Sequence, residues 1–200
     1  MSEPTIDPDG PEAEIESFSP PLLPQLTSEP QSHPDSCLSF SLPLLRAIHG
    51  LLPAAPDLTL SIGSGSGLVE SLLQSITEPY TLNLVGVEVM PSPNKYLPPT
   101  SHRCVQGTWA LDPLSKTAKA WLFVYPKRVG LIEEYLNAHR TNGLQTVMWI
   151  GPRRDWDEFN TAFATYPSVD MELWDEDRIE AAGGRAWECI ATIRYPDRGE

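Results

Sequence analysis

Leu58-Thr59-Leu60-Ser61-Ile62-Gly63-Ser64-Gly65-Ser66-Gly67-Leu68-Val69-Glu70 is the stretch on which the reading of this chain turns. Residues 58–62 alternate apolar and polar, the pattern of a strand. Glycines follow at 63, 65 and 67, and then a helical pattern begins. Glycine takes positive φ without a Cβ clash, so the chain can turn sharply here. It also leaves the turn free of side chains, so a ligand can lie against the main chain. The N–H groups at the start of the following helix suit a carboxylate or another anion. A glycine turn between strand and helix in an open α/β sheet is most often a nucleotide-type site.

Downstream, the helix is expected over 67–76, with Ser66 as a candidate N-cap. Glu70 lies in its first turn, where the helix dipole favours an acid. A second strand, 81–89, is a largely apolar run in which Glu88 is the only acid. Glu88 follows Gly67 by about 20 residues, the spacing at which a strand-end acid accepts the hydroxyls of a ribose. The alternative is an exposed strand-end carboxylate. Residues 90–99 hold Pro91, Pro93, Pro98 and Pro99 and must be a loop. A short strand at 103–106 leads to Gly107, Thr108 and Trp109, where Trp109 either stacks on a base or covers the sheet edge. Residues 110–119 read as a loop or one helical turn.

A buried strand, 120–125, ends at Tyr125-Pro126-Lys127-Arg128. The next helix carries Leu131, Ile132, Tyr135 and Leu136 on one face and stops at Asn142-Gly143. Then come a strand at 144–150, a helix at 155–166 with Trp156, Phe159 and Phe163 as its stripe, and a strand at 169–174. A last strand spans 186–195. The link before it, with Asp175-Glu176-Asp177 and Gly183-Gly184, is too short for a crossover helix, so that strand is expected to be antiparallel.

Upstream, Leu42, Leu45, Ile48, Leu51 and Leu52 recur at helical spacing over 41–52, with Pro43 in the first turn and Gly50 and Pro53 closing the helix. His49 reads as a surface or capping residue there. Residues 1–38 read as a disordered acidic tail. The first 36 hold eight prolines, eight acids and no Lys or Arg, too little apolar area to offset the entropy of ordering. Leu22, Leu23 and Leu26 are a candidate docking motif within it.

Composition narrows the function. The net charge is −13 over 200 residues, which argues against nucleic-acid binding as the main activity. Cys37, Cys104 and Cys189 have no paired spacing. They read as a reduced intracellular set, cytoplasmic or nuclear, with no metal motif. No signal peptide is recognisable, and no apolar run reaches the ~18 residues that cross a bilayer.

Strands alternating with helices, closed by a hairpin-like pair, predict an α/β fold: a doubly wound, mostly parallel sheet of about seven strands in a three-layer sandwich, the last strand antiparallel. Over residues 41–196 the chain resembles the class I S-adenosylmethionine-dependent methyltransferases, whose sheet is Rossmann-like. Ser61-Ile62-Gly63-Ser64-Gly65-Ser66-Gly67 matches the glycines of that family's acid-x-Gly-x-Gly-x-Gly motif. Glu88 matches its ribose-holding acid. The resemblance implies S-adenosyl-L-methionine as cofactor, adenine contacts at Gly107, Thr108 and Trp109, and a substrate side at Tyr125-Pro126-Lys127. A nicotinamide or flavin dinucleotide would require glycine at the position of Leu68.

The chain departs from the family in three ways. Ser61 replaces the first acid, giving up a charge-assisted contact worth roughly 1–2 kcal/mol. Thr108 replaces the acid often found after the third strand. The segments after strands 2 and 3 are too proline-rich or too short for helices, which predicts a thinly covered sheet face open to a protein partner. Tyr125 is the candidate for orienting a nucleophile, with a core aromatic as the alternative. The acceptor, small molecule or protein, is not legible. The second reading is a non-catalytic module that keeps the fold for binding or assembly.

Overall fold

The computed structural model describes residues 18–140, 143–164 and 170–196. Residues 1–17 of the expected tail, Asn142, Tyr166 and Val169 lie outside these residues. The order is β1 (Gln31–His33), β2 (Ser36–Phe40), α1 (Leu42–His49), β3 (Leu58–Ile62), α2 (Leu68–Ser75), β4 (Asn83–Val89), β5 (His102–Val105) and β6 (Ala120–Val124). Then come α3 (Val129–His139), β7 (Thr146–Pro152), α4 (Trp156–Phe159), α5 (Thr161–Ala164), β8 (Asp170–Leu173), α6 (Glu176–Ala181) and β9 (Glu188–Arg194).

Seven strands form one sheet in the order β5-β4-β3-β6-β7-β9-β8. All run parallel except β9, which lies antiparallel between β7 and β8. The fold is therefore the expected doubly wound α/β sandwich. Strand alternation sorts the core. On β6, Ala120 and Leu122 face the layer of α1 and α2, while Trp121 and Phe123 face α3 to α5. On β7, Met148 and Ile150 face the first layer, Val147 and Trp149 the second. Ser41 caps α1 by accepting from the Leu44 N–H (3.2 Å), as its place before Pro43 suggests.

Four local features differ from expectation. Residues 31–40 form a hairpin within the stretch read as tail. Leu38 and Phe40 are buried in the first layer, and the Ser39 N–H donates to the Glu188 carboxylate at 2.8 Å. Two well-placed apolar residues and one long-range hydrogen bond thus order a segment that composition alone would leave loose. His49 is buried rather than exposed, its ring stacked on Tyr80 with centroids 4.8 Å apart. The expected 155–166 helix is split at Asn160 into α4 and α5. The link at 175–184 contains a helix, α6. Its N-cap is Asp175, which accepts from the Arg178 N–H (2.8 Å), so the acids at 175–177 are a helix start and not merely a connection. Strand β5 is an edge strand with Arg103 and Cys104 exposed, and no α-helix follows β4 or β5.

The sheet order fixes where a ligand can lie. From β3 the chain builds outward to β4 on one side and to β6 on the other. The crevice outside the carboxyl ends of strands at such a reversal is where open α/β sheets bind ligands.

Candidate functional site

A cavity of about 610 Å³ opens at that point, within the usual range for small-molecule sites. Its floor is the glycine turn. Gly63, Gly65 and Gly67 all have positive φ (78°, 55° and 80°). A Cβ built on Gly63 or Gly65 meets nothing within 4 Å, whereas one on Gly67 would stand 2.6 Å from Asn94 Oδ1 and 2.8 Å from Leu97 Cγ. Gly63 and Gly65 therefore present bare main chain to the cavity, while Gly67 lets the proline-rich loop pack onto the turn. Gly86 has the same packing role on β4. A Cβ there would meet Leu97 at 2.5 Å and the Ser64 hydroxyl at 2.8 Å.

The turn's amides are largely engaged. Gly63 and Ser64 donate to the Val87 carbonyl, Gly67 donates to the Ser64 carbonyl, and Gly65 donates to Glu88 Oε2 at 2.8 Å. The parallel register pairs Ile62 with Val87, so Glu88 lies alongside the first residue of the turn. Its second oxygen, Oε1, accepts from the Val89 N–H (2.8 Å). Each carboxylate oxygen keeps a free lone pair, so Glu88 can still accept ligand hydroxyls.

Seven of the ten residues expected to hold the cofactor or orient the nucleophile line this one cavity, Gly63, Ser64, Gly65, Glu88, Gly107, Thr108 and Tyr125, and so do Pro126 and Lys127 of the expected substrate side. Gly107 has φ 87° and, like Gly63, open space where a side chain would be. Three residues stand off the wall. Gly67 is packed as described. Ser61 is buried beneath the turn and donates to Glu70 Oε1 at 2.6 Å. Trp109 is 66% exposed, with the Arg128 guanidinium 4.1 Å over its ring. Arg128 itself reaches the cavity and donates to the Thr108 carbonyl.

Tyr125 directly follows β6 with φ 51°, a left-handed conformation that costs a non-glycine residue of order 1–3 kcal/mol. Its hydroxyl donates to Glu188 Oε1 at 3.1 Å. Burial and the Glu188 charge push the phenol well above its ordinary range. At neutral pH the Tyr125 phenol is thus uncharged.

Three contributors were missed in the sequence. The turn of the β1–β2 hairpin puts Asp35, Ser36 and Cys37 on the cavity wall. Asp35 is held there by Lys95, by the Tyr96 hydroxyl (3.0 Å) and by the Ser66 hydroxyl, which donates to its carbonyl at 2.6 Å. Pro91 and Pro93 supply an apolar side from the loop after β4. Glu70, read as a dipole-facing acid, is 1% exposed and lines the same cavity. Only the Ser-x-Gly spacing before it could have hinted at this, through the acid missing at 61.

Among the described residues no cluster of three or more His, Cys, Asp or Glu could hold a metal ion, and no helix is long and apolar enough to cross a membrane. The three cysteines are free, with Cys189 buried.

No protein-family model and no curated protein matches the sequence. Solved structures do match its fold. Precorrin-6y C5,15-methyltransferase from Geobacter metallireducens is 11% identical, with 84% of this chain and 93% of that one covered at a TM-score of 0.56. The methyltransferase domain of bacterial CtHen1-C is also 11% identical, covering 75% and 95% at 0.52. A precorrin 8W decarboxylase from Methanobacterium thermoautotrophicum is 13% identical, covering 86% and 99% at 0.50. At these identities the likeness is one of fold: the chain shares its Rossmann-like α/β sheet with solved methyltransferase structures.

Proposed function

We propose that the protein is an S-adenosylmethionine-dependent methyltransferase that binds its cofactor across the Gly63–Gly67 turn, with Glu88 accepting the ribose hydroxyls. One observation carries this reading. The bare faces of Gly63 and Gly65, the Glu88 carboxylate and the open Gly107 all meet in a single cavity at the carboxyl ends of β3, β4 and β5. Gly107 and Thr108 are assigned to the adenine end. Tyr125, Lys127 and the hairpin residues Asp35–Cys37 are assigned to the acceptor end. Trp109 joins the site only if its ring swings off Arg128.

The cofactor would supply an activated methyl group, transferred in line to a nucleophile of the acceptor. Such a displacement depends chiefly on holding two reactants in line, for which alignment alone can supply much of the rate. This chain's part is to align. Tyr125, fixed by Glu188, offers its oxygen to an acceptor group, and the hairpin turn closes the cavity side toward water.

A binding experiment tests the reading. S-adenosylhomocysteine at 100 times its dissociation constant is expected to stabilise the fold by about 2.7 kcal/mol. That is a rise of about 5–10 °C in Tm for a chain of this size. Glu88→Ala, measured against its own unliganded melting temperature, is expected to lose most of that rise. No shift for the wild type at millimolar ligand would overturn the assignment.

The second reading, a non-catalytic binding or assembly module with this fold, is favoured by Ser61 and by the use of Glu88 to brace the glycine turn. The two readings part on turnover: a module binds the nucleoside without transferring methyl groups to any acceptor.

A further inference from the structure

Glu70 is a buried acid whose position its own helix does not explain. An acid at the third position of a helix usually folds back onto the N-cap N–H. Here the N-cap is Gly67, and its N–H donates to the Ser64 carbonyl instead. Glu70 turns to β3, where Oε1 accepts the Ser61 hydroxyl at 2.6 Å. Oε2 is shielded from water and has no hydrogen-bond partner among the described residues. The residue nonetheless forms part of the cavity wall. A carboxylate out of water needs a cation or hydrogen-bond donors to stay charged. The Ser61 hydroxyl serves one oxygen, and the other is left without a hydrogen-bond partner among the described residues.

We propose that Glu70, reaching under the glycine turn from α2, is the group that recognises a primary ammonium on the bound nucleoside, and that this recognition switches on with its deprotonation. The inference rests on the cofactor reading above and adds the residue and the pH control of its amino-acid end. Ser61 keeps Oε1 in place, and the ammonium takes Oε2.

Electrostatics give the switch its range. Burial pushes the Glu70 carboxyl up to about 7, against the pull of the Ser61 hydroxyl and its own N–H, and the Glu88 charge raises it further. The titratable or charged groups on elements packed against α2 or across the cavity are Glu88 on β4, Cys37 on β2 and Asp35 in the hairpin turn before it, Arg46 and His49 on α1, and Tyr125, Lys127, Arg128 and Tyr135 across the cavity. Glu88 is the carboxylate among them that acts on Glu70. Below neutrality Glu70 is a neutral acid, and ammonium binding must first release its proton to solvent. Above neutrality it meets the ammonium already charged.

The test compares S-adenosylhomocysteine with methylthioadenosine, which keeps the nucleoside thioether but lacks the ammonium and carboxylate. For the wild type, affinity for S-adenosylhomocysteine is expected to rise about tenfold between pH 6 and pH 8, while that for methylthioadenosine stays level, since one pH unit below the group's pKa changes the charged fraction about tenfold. Glu70→Gln, which can still accept the Ser61 hydroxyl, is expected to weaken S-adenosylhomocysteine at least tenfold at pH 8, to leave methylthioadenosine unchanged and to abolish the pH dependence. Equal weakening of both ligands, or a wild-type profile flat from pH 6 to 8 for both, overturns the role of Glu70. A wild type that binds neither nucleoside overturns the cofactor reading itself, an outcome independent of the variant.

Discussion

Glu188→Ala is expected to lower the unfolding free energy by about 3 kcal/mol, because the carboxylate holds three parts of the chain together. It is the first residue of β9 and is fully buried. Oε1 accepts from the Ser39 N–H of the hairpin at 2.8 Å and from the Tyr125 hydroxyl at 3.1 Å, and Oε2 accepts from the Arg185 N–H at 3.3 Å. Alanine strands all three donors, each at a cost of roughly 1–3 kcal/mol when buried. Part of that cost is offset, since burial pushes the Glu188 carboxyl above its ordinary range and its removal relieves this. Glu188→Gln keeps an acceptor and should lose less than half as much. Urea denaturation measures the difference. Amide exchange at Leu38 and Phe40 should accelerate in the alanine variant more than exchange in β6 and β7, because the hairpin loses its tie. An alanine variant within 1 kcal/mol of the wild type would show that the hairpin is held by the packing of Leu38 and Phe40 alone. The same substitution bears on the site, since the hairpin turn and Tyr125 both line the cavity.

The parts of this molecule that were legible in the sequence are those specified locally. Leu58–Ile62 is a strand with the bounds its alternation gives, because Asp57 and Gly63 delimit it and each residue's face follows from its parity. The apolar runs that became β6 and β7 could hardly be anything but central strands. The glycine spacing indicated bare backbone, and Gly63 and Gly65 present it. What escaped was specified by distant partners. The hairpin depends on Ser39 meeting a residue 149 positions away. Its own signal, Leu38 and Phe40, is short and lies beside a proline-rich stretch. Glu70 looks like any acid in a first helical turn until Ser61 is seen to reach it from nine positions back. Trp109 has the composition of a base-stacking residue, but Arg128 holds its ring outside the cavity. Local pattern therefore located the floor of the site, and long-range contacts decided its walls.

Glu70→Gln is expected to stabilise the unliganded protein at pH 8 by about 3 kcal/mol and to leave it nearly unchanged at pH 4. The carboxyl is 1% exposed and is pushed by burial from an ordinary value of 4.5 up to about 7. A group with a raised folded-state value binds its proton more tightly when folded. Between pH 4.5 and about 7 the native state therefore holds more protons than the unfolded one. Stability falls as pH rises through that window and then levels off. The loss is about 1.4 kcal/mol for each unit separating the two values, and glutamine, which does not titrate, escapes it. For a chain of this size the gain corresponds to about 6–12 °C in Tm at pH 8, read by thermal denaturation of both proteins from pH 4 to pH 8. A difference that is constant across that range would mean that Glu70 ionises in the folded protein as it does in the unfolded chain, and that its burial is not felt. A difference that grows with pH would show that the fold keeps glutamate at the cavity wall, at a cost in stability that a neutral isostere removes. Retaining a destabilising buried acid beside Ser61 is what a site that needs a negative charge for its ligand would do, and a purely structural position would not.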